Sequence, residues 1–342
     1  MCDEHFEEDL DNYTRFPPLT RRQFAAVSMG AGVAVMLPRA ADALQVAESD
    51  VTVKTPDGAA DCYFVHPASG TAAGVIVWPD ILGLRPAFRQ MGKRLAESGY
   101  AVLVVNPFYR EAKAPVVPAG ASFADQKTRD IVMPLAKGLS AATHVTDAKA
   151  FVEFLDSQAV VDKTRKIGTT GYCMGGPIVM RTAAAAPDRI GAGASFHGGG
   201  LVTKAPDSPH LLIPQMKAHF LFAIAENDDE RDPEAKSVLR AWFDKAKLPA
   251  EIEVYAGAAH GWCPPDSAVY HEKQAERAWA RQLAEGQWEA LRMTKRALIA
   301  ESSMSLDSAL DFEAAAQAVL LRAADHREFF NAHAEKRPPK WR

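Results

Sequence analysis

From about residue 50 onward, short apolar runs alternate with amphipathic stretches. Eight runs read as strands: Val51–Thr55, Cys62–His66, Val75–Trp78, Val102–Asn106, Lys166–Thr170, Ala192–Phe196, Phe220–Ala225 and Glu251–Tyr255. Several are apolar throughout, as expected of strands covered on both faces of a parallel sheet. Between them, Phe88–Ser98, Thr146–Ser157, Ile178–Ala186, Pro233–Lys245 and Tyr270–Leu283 carry one apolar face each and read as helices. This alternation predicts an α/β fold with a mostly parallel, doubly wound sheet and functional loops at the carboxyl ends of the strands. The first two runs flank Pro56-Asp57-Gly58, a turn signal that predicts an antiparallel pair at one edge. The stretch Glu111–Lys137, rich in Ala, Pro and charge, is expected as a loop or short helices near the mouth of a site.

Composition narrows the function class. The chain has 342 residues, 48% hydrophobic and 24% charged, with a net charge of −4. That length holds one large domain with extensions, or two domains. The charge offers no case for nucleic acid or an anionic membrane as partner. The four cysteines, at positions 2, 62, 173 and 263, are too dispersed for a disulfide framework or a paired metal site, though one disulfide involving Cys263 stays open. Near the start, Thr20-Arg21-Arg22-Gln23-Phe24 precedes an apolar run over residues 25–37 and then Ala41-Asp42-Ala43. The run is too short to span a bilayer, and the order matches a twin-arginine export signal with a cleavage site. Residues 1–43 are therefore expected as a signal segment, the mature chain beginning near Leu44 in the periplasm or outside the cell. The alternative is an N-terminal amphipathic helix on a cytoplasmic protein.

The chemistry centres on Gly171-Tyr172-Cys173-Met174-Gly175-Gly176, set between a strand and a helix. Gly-x-nucleophile-x-Gly in that setting is the nucleophile elbow of the α/β-hydrolase fold, with Cys in place of Ser. A helix N-terminus supplies backbone N–H groups and the positive end of a dipole, which favours a thiolate. A nucleophile of this kind needs a base and an orienting acid, in the chain order nucleophile, acid, His. The strand Phe220–Ala225 runs into Glu226-Asn227-Asp228-Asp229, so the acid is Asp228 or Asp229, with Asp228 preferred. The strand Glu251–Tyr255 leads to Ala259-His260-Gly261-Trp262, which places the base at His260. The fold's oxyanion hole takes one N–H from the residue after the nucleophile, Met174. The second comes from the loop after the third strand, Pro79-Asp80-Ile81-Leu82-Gly83, and Ile81 is the natural donor. His197-Gly198-Gly199-Gly200 falls after the elbow and reads as a structural turn near the site.

These residues resemble the dienelactone hydrolase family. The resemblance is carried by Val75–Leu84, Ala96–Val102, the Gly171–Gly176 elbow, Ala225–Asp228 and His260-Gly261, and it spans about residues 50–285. It implies a hydrolase that opens lactones or related esters through Cys173, Asp228 and His260, with a covalent acyl-enzyme and no metal or organic cofactor. It also implies an acid after the third strand that contacts the resting thiol; this chain has Asp80 there, where the family usually shows Glu. Family arginines that hold a substrate carboxylate have a partial match in Arg110 and a mismatch at Pro264. Arg110 and Trp262 are the candidate substrate contacts. The substrate is expected to be a small ester or lactone.

Residues 286–342 go beyond such a domain. Ala290–Leu298, Ser305–Leu310, Phe312–Gln317 and Asp325–Glu328 resemble the C-terminus of the enoyl-CoA hydratase/isomerase (crotonase) family, and the tail reads as three amphipathic helices. The body of that family is absent, so no crotonase activity is expected. The tail is expected either to join copies of the chain into a homo-oligomer or to be a relic of fusion. A competing functional reading is a non-catalytic or thiol-redox protein on the same scaffold, prompted by Asp80, Pro264 and Cys263.

Overall fold

A computed structural model describes residues 43–283. The expected twin-arginine segment and the crotonase-like tail lie outside the described residues, apart from position 43. The chain divides into two compact units, one up to Ala275 and one from Glu276 onward.

In the first unit the eight expected strands all form, most of them longer than the sequence pattern indicated. They are β1 (Val46–Thr55), β2 (Gly58–Pro67), β3 (Ala73–Trp78), β4 (Tyr100–Val105), β5 (Ile167–Tyr172), β6 (Ile190–Phe196), β7 (His219–Ala225) and β8 (Ala250–Tyr255). Their order across the sheet is β1-β2-β4-β3-β5-β6-β7-β8. β1 and β2 pair antiparallel with Thr55 opposite Gly58, so the Pro56-Asp57 turn closes an edge hairpin. β2 runs antiparallel to β4, and every later pairing is parallel. The apolar runs sit where they were expected: all six residues of β3 are buried. This is an α/β-hydrolase fold with a mostly parallel sheet.

Helices alternate with the strands along the chain. They are α1 (Pro86–Glu97), α2 (Gln126–Lys137), α3 (Ala141–Ser157), α4 (Gly175–Ala185), α5 (Glu226–Arg231) and α6 (Ala235–Ala246); α7 (Glu272–Leu283) begins in the same unit. Local chemistry sets their ends. Pro86 opens α1, and Ser140 caps α3 through a reciprocal bond pair with Thr143. The apolar faces of α3, α4 and α6 meet the sheet in one core that includes Ile76, Leu103, Phe151, Ile178 and Phe222. Each such side chain removed from water contributes about 1.5–3 kcal/mol.

One open expectation is resolved and one segment differs. The stretch 111–137 ends in the twelve-residue helix α2. Val132 and Ala136 of α2 join Ile81, Phe108 and Val117 in a small separate core, with Met174 packed against it. Apolar burial thus decided between the loop and the short helices that its Pro and charge content left open. Residues 226–231, expected as a loop, form the short helix α5.

Candidate active site

The elbow is built by steric exclusion. Between β5 and α4 the backbone turns at Cys173, whose φ is +52. A non-glycine residue in this region costs of order 1–3 kcal/mol and persists only where its surroundings impose it. Here the surroundings are backbone. A Cβ at Gly171 would lie 2.2 Å from the Gly175 carbonyl oxygen, and one at Gly175 would lie 2.4 Å from that of Trp78. At Gly176 it would meet Ser195 Oγ at 2.5 Å and Gly198 Cα at 2.6 Å. The three glycines flanking the thiol are therefore each required by a neighbouring segment. Close approach of Gly175 to the end of β3 also brings the loop after β3 next to the elbow.

His260 links the elbow to the acid. Its Nε2 is 3.0 Å from Cys173 Sγ, and its Nδ1 is 2.8 Å from Asp228 Oδ2 and 3.0 Å from Oδ1. The His260 backbone N–H donates to Asn227 Oδ1 at 2.8 Å, Glu226 N–H donates to the Ala258 carbonyl at 2.8 Å, and Gly257 N–H donates to Glu226 Oε2 at 3.0 Å. Helix α5 thus holds the His loop as well as carrying the acid. Asp228 and His260 are both buried, and Cys173 is half-buried. Burial pulls the His260 pKa down, but the charges of Asp228 and Cys173 and their hydrogen bonds outweigh it and raise it well above its ordinary value.

Of the two candidate acids, Asp228 reaches His260, whereas Asp229 pairs with Lys236 Nζ at 2.6 Å. One step along a helix rotates the side chain by about 100°, which separates the neighbours as strand alternation would have done. The Ile81 and Met174 N–H groups, one in the β3 loop and one at the start of α4, donate to no protein acceptor among the described residues.

Other candidates are placed elsewhere. Asp80 gives both carboxylate oxygens to Arg85, at 2.6 and 3.0 Å, and Oδ1 also accepts Leu82 N–H at 2.9 Å; its partner is the guanidinium and not the thiol. The shorter Asp side chain keeps its charge within its own loop. Arg110 is not presented to a substrate. It reaches Asp147 at 2.6 and 2.9 Å and Asp57 at 2.6 and 3.1 Å, and Asp147 is fully buried. Trp262 is completely buried and stacks on Tyr255 at 4.9 Å, so it is core rather than a substrate contact. Cys62, Cys173 and Cys263 are free thiols, and burial pushes the Cys263 thiol well up.

The turn at His197 lies in the site. Its φ is +40, its ring is fully buried, and neither ring nitrogen has a partner among the described residues. It stands edge-to-face with His260 at 5.0 Å between centroids. Burial first, and then the nearby His260, drive its pKa well below the ordinary value. Arg85, Asn227 and Asp266 were missed in the sequence, where nothing beyond their placement in strand-end loops marks them.

Among known proteins, the dienelactone hydrolase family profile matches residues 60–285. A carboxymethylenebutenolidase of Rhodococcus opacus is 26% identical over 219 residues, covering 61% of this chain and 81% of that protein. A putative carboxymethylenebutenolidase of Methylorubrum extorquens is 25% identical over 292 residues, covering 81% and 95%. The crystal structure of a putative dienelactone hydrolase from Klebsiella pneumoniae shares the fold, with a TM-score of 0.61 at 21% identity over 70% of this chain and 99% of that one. The chain belongs to the dienelactone hydrolase family and is a hydrolase of the α/β-hydrolase fold.

Proposed function

We propose that the chain hydrolyses small esters or lactones through Cys173, His260 and Asp228 by way of a covalent acyl-enzyme. The observation that carries this reading is the position of His260, bonded to Cys173 Sγ by one ring nitrogen and to Asp228 by the other. The reacting form has the sulfur as thiolate and its proton on His260 Nε2. The sulfur attacks the carbonyl carbon, and the developing oxyanion takes the Ile81 and Met174 N–H groups, each donor worth a factor of about 10²–10³. The C–O bond breaks as His260 Nε2 delivers its proton to the leaving oxygen, giving a thioester and a neutral imidazole. His260 then removes a proton from water, the hydroxide attacks the thioester, and loss of the acid restores thiolate and imidazolium. Asp228 stays ionised and holds the ring through Nδ1–H.

The names of the relatives point to an unsaturated lactone bearing a carboxylate. The commitment of Arg110 to Asp57 and Asp147 favours instead a substrate whose carboxylate, if present, is not held there. Hydrolysis of p-nitrophenyl acetate that disappears in both Cys173→Ala and His260→Ala is the expected result; turnover persisting in Cys173→Ala defeats the reading.

We also propose that Arg21-Arg22 and the apolar run after them direct export. A fusion of residues 1–50 to a reporter should leave the cytoplasm, and retention with both arginines intact contradicts this. The tail from residue 286 is proposed to join copies of the chain. Truncation after Gly286 should then lower the oligomeric state seen by light scattering.

A further inference from the structure

Arg85 stands between two loops that the chemistry uses. It is the last residue before α1, in the loop that follows β3, and its side chain is 7% exposed. Towards its own loop, Nη1 and Nη2 donate to Asp80 Oδ1 and Oδ2 at 2.6 and 3.0 Å, and Nη1 to the Gly83 carbonyl at 3.3 Å. Towards the loop after β8, Nε and Nη2 donate to Asp266 Oδ2 and Oδ1 at 2.7 and 2.9 Å. Asp266 lies six residues beyond His260, in the same loop after β8. One guanidinium therefore forks two carboxylates, and every N–H face of it is used for geometry. Asp80 is itself locked: Leu82 N–H donates to its side chain and Gly83 N–H to its carbonyl, both at 2.9 Å. Ile81 lies between those two anchored points, so the direction of its N–H is set by how Asp80 is held. Such a buried, charged arrangement is costly to assemble and loses its balance if one partner goes.

We propose that Arg85 is a positioning residue that clamps the Ile81 oxyanion loop to the His260 loop, acting through Asp80 on one side and Asp266 on the other. The inference rests on the thiol-hydrolase reading above. The clamp touches neither the sulfur nor the His260 ring. Its loss should spare the Cys173–His260 pair and weaken only the stabilisation of the oxyanion.

Two measurements on the full chain separate these effects. The first is steady-state hydrolysis of p-nitrophenyl acetate. The second is the pH profile of Cys173 alkylation by iodoacetamide, which reads the thiol and its histidine without an oxyanion. Arg85→Met should lower kcat about 100-fold, as a lost or misaimed oxyanion donor does, with KM within about threefold. Arg85→Lys, which cannot fork both carboxylates, should fall between Met and wild type. Asp266→Asn, whose carboxylate is 43% exposed and whose folding is less at risk, should lower kcat about tenfold. The double variant Arg85→Met/Asp266→Asn should be no worse than Arg85→Met, because both remove one device. The alkylation profile should match wild type throughout. The clamp is overturned if Asp266→Asn retains kcat within about twofold, if the two losses add, or if the alkylation profile moves in step with kcat. Failure of the underlying reading is visible separately, as hydrolysis that survives Cys173→Ala.

Discussion

The cluster of charge under Arg110 and the one at Cys173 are finished differently. In the cluster under Arg110, Tyr109 Oη sits 2.7 Å from Thr55 Oγ1 and donates to Asp147 at 2.8 Å, while the guanidinium is shared by Asp57 and Asp147. Its carboxylates and its guanidinium are paired within the protein. At Cys173 the opposite holds among the described residues: a left-handed backbone, a half-buried sulfur, two N–H groups without a protein acceptor, and a buried His197 ring with both nitrogens unpartnered. Unspent hydrogen-bonding capacity and local strain are what a fold keeps where a substrate must be met; full pairing marks where it needs only to hold together.

Substitutions should separate the two clusters cleanly. The largest expected effect is at the sulfur and its base. Cys173→Ala and His260→Ala should each lower kcat/KM on p-nitrophenyl acetate by about 10⁴-fold or more, and Asp228→Asn by about 10³–10⁴-fold, with Tm moved by only a few degrees. Asp147→Ala should do the reverse. It leaves Arg110 with Asp57 alone and Tyr109 Oη without its carboxylate acceptor, and should cost about 1–3 kcal/mol in urea unfolding, while kcat stays within about twofold. The ratio of kcat/KM between a neutral ester and one carrying a free carboxylate should not change in Arg110→Ala; a collapse of that ratio at unchanged Tm would move Arg110 into the site.

A smaller effect comes from protons. His144, on α3 with Asp147, has its pKa pushed down to about 3 by burial and then by the Arg181 and Arg110 charges. The fold holds the neutral ring, and the unfolded chain takes up a proton below about 6.5. Its contribution is full above that pH and is lost as pH falls from 6.5 towards 3. The slope is about 1.4 kcal/mol per unit, so about 2 kcal/mol should be gone at pH 5. Denaturation at pH 7 and pH 5 should show this loss, and His144→Asn should reduce it. His197 adds a loss of the same sign. Smallest of all, Ser140→Ala removes the capping box of the helix that carries both Asp147 and His144. It should cost about 1 kcal/mol and leave kcat unchanged.

Strands and elbow could be read from the chain because each depends on local pattern. The β3 run is apolar throughout, and Gly171, Gly175 and Gly176 are glycines for reasons their spacing already betrays. His260 and Asp228 followed from chain order and strand ends. What could not be read was which partner a charged side chain would choose. Arg110 and Asp80 carry the right chemistry for a site, yet each is taken by another partner: Arg110 by Asp147, brought from 37 residues away by tertiary folding, and Asp80 by Arg85, five residues on in its own loop and itself tied to Asp266 181 residues further along. Trp262 next to His260 was misread for a related reason, since only the packed core shows that its ring turns inward. Helix α2 formed against Pro134 because burial of Val132 and Ala136 outweighed propensity.

A rapid-quench experiment on the full chain would decide whether Cys173 is the nucleophile. After brief mixing with p-nitrophenyl acetate at mildly acidic quench, peptide mass spectrometry should find one acetyl group as a thioester on the Cys173 peptide. It should form at least as fast as turnover and be absent from Cys173→Ala. An acetyl group on another residue, or turnover at wild-type rate with Cys173 never acylated, would overturn the assignment of this thiol.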